Sequence, residues 1–291
     1  MASQGFDVIV CGSLHLDIML YAPTIPRPDE TVAGTRWDQQ CGGKGGNQAV
    51  MAARAGARTA MIGRVGADDF GARLTGNLAK AGVDAAQISV DPVAGSGISA
   101  AIVRDDGEYG AVIVSGSNLR LDAADLAASW RRLGGARALI LQNEIPESVN
   151  VAAARAARDS GALVILNAAP ARPMAREMLD LVDVLVVNRV EAEMLSGARV
   201  QNRDDATAAL RKLSALARSV VVTLGGDGVA LRKADGEIQY IPPRPVDVVS
   251  THGAGDCFVG TLAARLTTGG DLGEAAQSAN NAAADLVGRR P

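Results

Sequence analysis

The chain is poor in several things at once. Its 291 residues contain three cysteines, two histidines and only eight aromatic side chains, from two Trp, three Tyr and three Phe. Cys11, Cys41 and Cys257 are odd in number and none belongs to a C-x-x-C pair, which argues against a disulfide framework and against a thiolate zinc site. They read as reduced cytosolic thiols. His15 and His252 have no Ser or Cys nucleophile placed to form a triad, so hydrolytic chemistry of that kind is disfavoured. No apolar run reaches the roughly 20 residues of a bilayer span, and the first residues lack the basic and apolar regions of a secretion signal. Charge of one sign is not in excess either: the formal net charge is −3 and the basic residues are scattered, which gives no surface for nucleic acid or an anionic membrane. What remains is a soluble, cytoplasmic protein with a small-molecule partner.

What the chain does have is a regular alternation of β-rich apolar runs and alanine-rich helical segments. The strand candidates are Asp7–Cys11, Thr59–Ile62, Ala138–Leu141, Ala162–Leu166, Val184–Val187, Val220–Leu224 and Val246–Val249. They are apolar almost continuously, as expected of parallel strands covered on both faces. Between them, Phe70, Leu74 and Leu78 recur every fourth residue after Asp68, and Leu126, Trp130 and Leu133 follow Asp122, which gives helices a start and a buried face. Gly82 and Gly161 fall where helices should stop. The βαβα order predicts an α/β fold, a doubly wound, mostly parallel sheet spanning 1–291 as one domain. Two stretches depart from it. Residues 15–46, with Pro23, Pro26 and Pro28, hold no helical pattern before a helix beginning near Gln48, and 97–114 read as a hairpin around Asp105-Asp106-Gly107-Glu108. Together they predict a small β-sheet lid over the carboxyl ends of the strands, with edge strands of the main sheet as the alternative.

The chemistry concentrates where strands end. Ser250-Thr251-His252-Gly253-Ala254-Gly255-Asp256 reads as a strand turning into a helix, with two glycines that let backbone N–H groups converge on an anion at the helix N-terminus. Asp256 then either accepts a proton from an attacking hydroxyl or caps the helix. Cys41-Gly42-Gly43-Lys44-Gly45-Gly46-Asn47 lacks the Walker spacing but allows close backbone approach and supplies donors from Lys44 and Asn47. Asp17, after the first strand, suits substrate hydroxyls or an Asx turn, and Glu144 after Gln142-Asn143 is a second ligand carboxylate or a solvated loop residue. Asn188 and Glu191 suit either Mg²⁺, which keeps waters and borrows phosphate oxygens, or helix capping. Thr223-Leu224-Gly225-Gly226-Asp227-Gly228 lays amides on a nucleotide or makes a hairpin.

Taken together, G-S-x-x-x-D, G-G-K-G-G-N, N-A-A-P-A-R at 167–172, N-R-V-E-A-E, T-L-G-G-D-G and G-A-G-D resemble, in order and approximate spacing, the ribokinase or PfkB-type family of carbohydrate kinases, and within it the ribokinases. The resemblance implies phosphoryl transfer from ATP, with Mg²⁺, to the primary hydroxyl of a pentose-like sugar. It implies that Asp256 is the base and that Gly253, Ala254 and Gly255 form the anion hole. His15, Asp17, Gly43, Lys44, Asn47 and Glu144 fall on the sugar, Asn188, Thr223, Gly225, Gly228 and Asn280 on the nucleotide, and Glu191 on Mg²⁺ through water. It also implies a homodimer formed through the lid. His15 stands where ribokinases carry an asparagine, Ser250 replaces the aspartate that helps hold an activating potassium ion, and the chain stops before the segment that completes that cation site. Weak or absent potassium activation is therefore expected. A nucleoside kinase of the same family is the alternative; a sugar-binding protein without catalysis is less favoured, because Asp256 and its glycines are all in place.

Overall fold

The computed structural model describes residues 5–104, 106 and 108–289; Asp105 and Gly107 of the expected hairpin turn lie outside the described residues, as do Arg290 and Pro291. In chain order the elements are β1 (Phe6–Cys11), β2 (His15–Tyr21), β3 (Arg36–Gly42), α1 (Lys44–Arg54), β4 (Thr59–Gly66), α2 (Asp69–Lys80), β5 (Asp84–Asp91), β6 (Gly97–Val103), β7 (Tyr109–Val114), α3 (Ala123–Leu133), β8 (Ala136–Gln142), α4 (Glu147–Asp159), β9 (Leu163–Asn167), α5 (Arg176–Leu179), β10 (Val184–Asn188), α6 (Arg189–Ser196), α7 (Arg203–Leu213), β11 (Ser219–Thr223), β12 (Val229–Arg232), β13 (Ile238–Ile241), α8 (Ala254–Leu266) and α9 (Leu272–Val287).

Nine strands form one sheet in the order β13-β12-β11-β10-β9-β8-β1-β4-β5, parallel except for β12 and β13. Alternate residues of each parallel strand feed two cores. In β1, Ile9 and Cys11 face the layer of α3, α4 and α7, while Val8 and Val10 face α1, α2, α8 and α9. That two-sided burial is why the runs read as continuously apolar. The chain leaves β1 for β4 on one side and later returns to β8 on the other, so the strand order reverses beside β1. A crevice at the carboxyl ends of the strands follows from that reversal. Helix ends behave as the residues predict: Asp68 and Asp122 accept hydrogen bonds from the amides of Gly71 and Asp125, and Gly82 and Gly161 take positive φ just beyond their helices.

The lid is a separate four-stranded sheet, β3-β2-β6-β7, and not an extension of the main sheet. Two expectations need correction. Val246–Val249 is not a strand, so the glycine turn follows irregular chain: Pro242, Pro243 and Pro245 remove donors just upstream, and the amides of Val249 and Ser250 bond instead to the Val287 carbonyl at the end of α9. Helix α1 begins at Lys44 rather than near Gln48. Glycine's low helix propensity pointed to the later start, but packing decides here, because a Cβ on Gly45 would lie 2.6 Å from the Ser13 nitrogen. The edge strand β5 is half polar, and the outer pair β12 and β13, four residues each, is legible only through the hairpin alternative at Thr223–Gly228. Among the described residues no helix is long and apolar enough to cross a membrane.

Candidate active site

Four adjacent parallel strands end in a polar residue: Gln142 on β8, Asn167 on β9, Asn188 on β10 and Thr223 on β11. Register sets Gln142 beside Asn167 and Asn188 beside Thr223, which makes a polar ledge along the crevice. Asp256, in the first turn of α8, reaches this ledge. Its Oδ2 accepts from Asn47 Nδ2 at 3.0 Å and its Oδ1 from Gln48 Nε2 at 2.9 Å. Burial raises the Asp256 carboxyl above the ordinary value, opposed by the Lys44 charge and by the Asn47 and Gln48 hydrogen bonds. A half-buried carboxylate held by amides, with its charge only partly answered, has the character of a base.

Gly253 opens α8 at φ 74°, a conformation that favours glycine. The Ala254 N–H is turned onto the Thr251 carbonyl at 3.3 Å, whereas the amides of Gly255 and Asp256 fall in a first helical turn that has no intrahelical acceptor for them. Gly253, Ala254 and Gly255, the residues expected to form an anion hole, thus open a helix at the crevice, with the amides of Gly255 and Asp256 rather than that of Ala254 left for a ligand. Ser250 is spent locally, its hydroxyl oxygen accepting the His252 amide at 3.2 Å.

On the lid side, the exit of β1 meets the start of α1 and the exit of β8. Glu144 accepts through Oε2 from the Ser13 hydroxyl and from the Lys44 backbone amide at 3.0 Å, and His15 Nδ1 lies 3.8 Å from the same oxygen. One carboxylate oxygen of Glu144 therefore ties three segments together. Burial holds the His15 imidazole below its ordinary value, so at neutral pH it is uncharged. Asp17 lies over Gly42, where a Cβ would come 2.0 Å from its Oδ2, and burial pushes its carboxyl up to about 6. The charges of His252, Glu144, Asp256 and Lys44 all act on it, which puts Asp17 within reach of the Asp256 turn. Gly43 takes φ 83° against the backbone of Leu14 and His15, closing the floor.

The Lys44 side chain lines a polar cavity of about 210 Å³ together with Asn188, Glu191, Thr223, Gly255 and Asp256. A lysine at a helix N-terminus works against the dipole, and here its charge is the one that lowers Asp256 most after burial has raised it. Asn188 and Glu191 make a capping box: the Glu191 amide donates to Asn188 Oδ1 at 2.9 Å and the Asn188 amide to Glu191 Oε2 at 2.8 Å. Burial raises the Glu191 carboxyl. Among the described residues no cluster of three or more His, Cys, Asp or Glu could cage a metal. The donor set fits an ion that takes most of its ligands from water and phosphate, with Glu191 on the cavity wall.

Beyond Asn188, Thr223 and Gly255 the cavity opens into a larger, mostly apolar cleft of about 680 Å³ between the Pro243–Val248 segment and α9. Gly225 and Gly228 line it with positive φ, and a Cβ on Gly228 would meet the Ile241 carbonyl at 2.2 Å. Asn280 also lines it and donates to the Pro242 carbonyl at 3.1 Å, pinning the segment that forms one wall. Arg189, which the sequence did not single out, holds the opposite wall by donating to the Leu224 carbonyl and to Asp227.

A family model described as pfkB family carbohydrate kinase matches residues 6–290. The chain belongs to this family. As a pfkB carbohydrate kinase it is a phosphotransferase with an alcohol acceptor, and its relatives share most of their length with it. It is 32% identical over 282 residues to a ribokinase of Haemophilus influenzae, covering 97% of this chain and 92% of that one. It is 36% identical over 263 residues to a ribokinase of Mus musculus, covering 89% and 81%. Among solved structures, Arabidopsis thaliana ribokinase complexed with ribose and ATP superposes with a TM-score of 0.91 at 28% identity, covering 99% of this chain and 94% of that chain. In this pfkB kinase the sequence-derived site residues converge at one end of the sheet, while Gln48, Gln142 and Ser13 were not singled out. Their signal was a polar residue placed within or at the end of an otherwise apolar buried segment.

Proposed function

We propose that this carbohydrate kinase transfers the γ-phosphate of ATP to the primary hydroxyl of a pentose-like sugar, with Asp256 as general base. The observation that carries the reading is the position of Asp256. It stands at a helix N-terminus where the polar cavity meets the apolar cleft, with both carboxylate oxygens fixed from α1. The apolar cleft suits a flat heterocycle, Gly225 and Gly228 allow close approach of a ribose and phosphates, and the polar cavity suits the transferring group. Asp17, Asn47, Glu144, Gly43 and the neutral His15 offer a polyhydroxylated acceptor both charged and uncharged partners. Lys44 lines the polar cavity, so its charge serves the γ-phosphate as well as the acceptor.

In the reaction Asp256 accepts the hydroxyl proton as the oxygen attacks, and the α8 amides with Lys44 stabilise charge on the transferring group. Mg²⁺, held through water by Glu191 with Asn188 ordering that carboxylate, would neutralise the phosphate oxygens. Because such a transition state is loose, positioning supplies much of the rate. A nucleoside acceptor is less well served: the Tyr21 ring lies under Arg36, and register places Trp37 on the face of the lid opposite Asp17, so neither ring offers a base a platform beside the acceptor site. Ser250, a neutral group already engaged in its own turn, supports weak potassium activation.

Asp256→Asn keeps the shape and removes the basicity. Its kcat should fall about 10²- to 10⁴-fold while ATP affinity measured by calorimetry stays within a few-fold. A kcat near that of the wild type would overturn the assignment.

A further inference from the structure

The amide of Gln48 has no degree of freedom left. Its side chain is fully buried in the second turn of α1, and Nε2 donates both to Asp256 Oδ1 at 2.9 Å and to Asn167 Oδ1 at 3.0 Å. Its Oε1 accepts from Gln142 Nε2 at 2.8 Å. Exchanging the amide's oxygen and nitrogen would set donor against donor and acceptor against acceptor at all three contacts, so a single orientation survives.

Gln142 is held by packing. Its backbone carbonyl accepts from Asn150 Nδ2 at 2.7 Å, and its Oε1, which has no hydrogen-bond partner, occupies the space in front of Gly12, where a Cβ would stand 1.9 Å away. That contact gives Gly12 a reason to be glycine that no turn requires, since its φ is not positive. Asn167 Nδ2 donates to the Val186 carbonyl at 3.2 Å. A line of buried amides therefore runs from the ends of β8 and β9 through α1 to one oxygen of Asp256, while Asn47 holds the other.

We propose that Gln48 is a positioning residue for Asp256: with Asn47 it fixes the plane of the carboxylate so that an unshared lone pair faces the acceptor hydroxyl. The inference rests on the reading of Asp256 as the base. A carboxylate with one oxygen tethered can swing about that tether; one with both oxygens bonded to successive residues of one helix cannot. The titratable groups acting on Asp256 or acted on by it include Lys44 on α1, Glu144 after β8, Asp17 on β2, Glu191 on α6 and Cys257 on α8, and substitution at Gln48 leaves all of them in place. A merely structural Gln48 would tolerate a side chain of the same volume at a cost in stability alone.

The test is a double-mutant cycle of Gln48→Met and Asp256→Asn, read as kcat, as KM for ATP and sugar, and as Tm. Gln48→Met removes the amide at similar volume. We expect kcat to fall about tenfold to a hundredfold, the range a misplaced catalytic group produces, with both KM values within about threefold. In the Asp256→Asn background the same substitution should change the residual rate less than about twofold, because there is no base left to position. Gln142→Met, which frees Gln48 Oε1 while leaving both hydrogen bonds to Asp256 in place, should lower kcat in the same non-additive way and keeps the test alive if Gln48→Met does not fold. Equal loss in both backgrounds, or an unchanged kcat in a folded Gln48→Met, overturns the proposal while leaving Asp256 as the base. An unchanged kcat in Asp256→Asn alone overturns the base assignment, and the proposal with it.

Discussion

At the scale of single residues, the site is a set of carboxylates whose environments differ. Asp17 is held up to about 6 by burial, against an ordinary value of 3.8. Between those values the folded protein binds a proton that the unfolded chain has released, so this residue's contribution to stability falls as pH rises from about 4 to 6 and stays at its lowest above that. At neutral pH Asp17 is a cost to folding, consistent with a functional role. Asp17→Asn should raise Tm relative to the wild type at pH 7 to 8, the difference disappearing near pH 4. It should also raise KM for the sugar roughly ten- to a hundredfold, since hydrogen bonds to a charged group contribute about 1.5–3 kcal/mol. Thermal scans across that range with sugar kinetics check both; a lower Tm at neutral pH would contradict the desolvation argument. Lys44 and Asp256 stood out in the sequence because glycines flank them at the start of a helix, and Asp17 because it follows the first apolar strand. Gln48 and Gln142 did not, because an amide in a helix or at a strand end signals only that it needs a partner, and the partners it meets lie 94 and more positions away.

Among the elements, the lid has two unlike faces. Register places Asp17 and Ser99 on one face with Gln40, and Leu16, Ile18, Leu20, Ile98, Ile102 and Val112 on the other with Trp37. Leu20, Trp37, Val112 and Val114 are exposed, Trp37 at 64% and Val112 at 66%, and β7 is an unpaired edge. A strand edge flanked by exposed β-branched residues invites pairing, and a second copy of the lid is the partner that the resemblance to ribokinases suggests. Sedimentation should therefore return a dimer, and Val112→Asp a monomer with reduced sugar affinity; a monomeric wild type at micromolar concentration would contradict the lid contact. The lid was legible as a break in the βαβα rhythm, where prolines and a hairpin turn replace helices. The start of α1 and the irregular Val246–Val249 segment were not, since in each a tertiary contact overrides local propensity: Gly45 against the β1 exit, and Val249 against the end of α9.

For the molecule as a whole, the parallel order of the strands brings every chemical motif to one rim. Residues 12–17, 43–48, 142–144, 167, 188–191, 223–228 and 253–256 all leave carboxyl ends of strands or open helices there, which is where a doubly wound sheet binds ligands. The order of motifs foretold much of this convergence, because most of them follow an apolar run; that the antiparallel strand β12 brings Val229 to the wall of the apolar cleft needed the structure. We propose that this rim phosphorylates a pentose-like sugar on its primary hydroxyl. The measurement that tests it most directly is ADP release from MgATP with ribose, deoxyribose, a set of hexoses and adenosine, followed by NMR assignment of the phosphorylated carbon in the product. We expect turnover with a pentose, at least about tenfold faster in kcat/KM than with adenosine, since neither Tyr21 nor Trp37 offers the adenine a platform beside the acceptor site, and phosphate on the primary carbon. Turnover confined to adenosine, or phosphate on the anomeric hydroxyl, would contradict it.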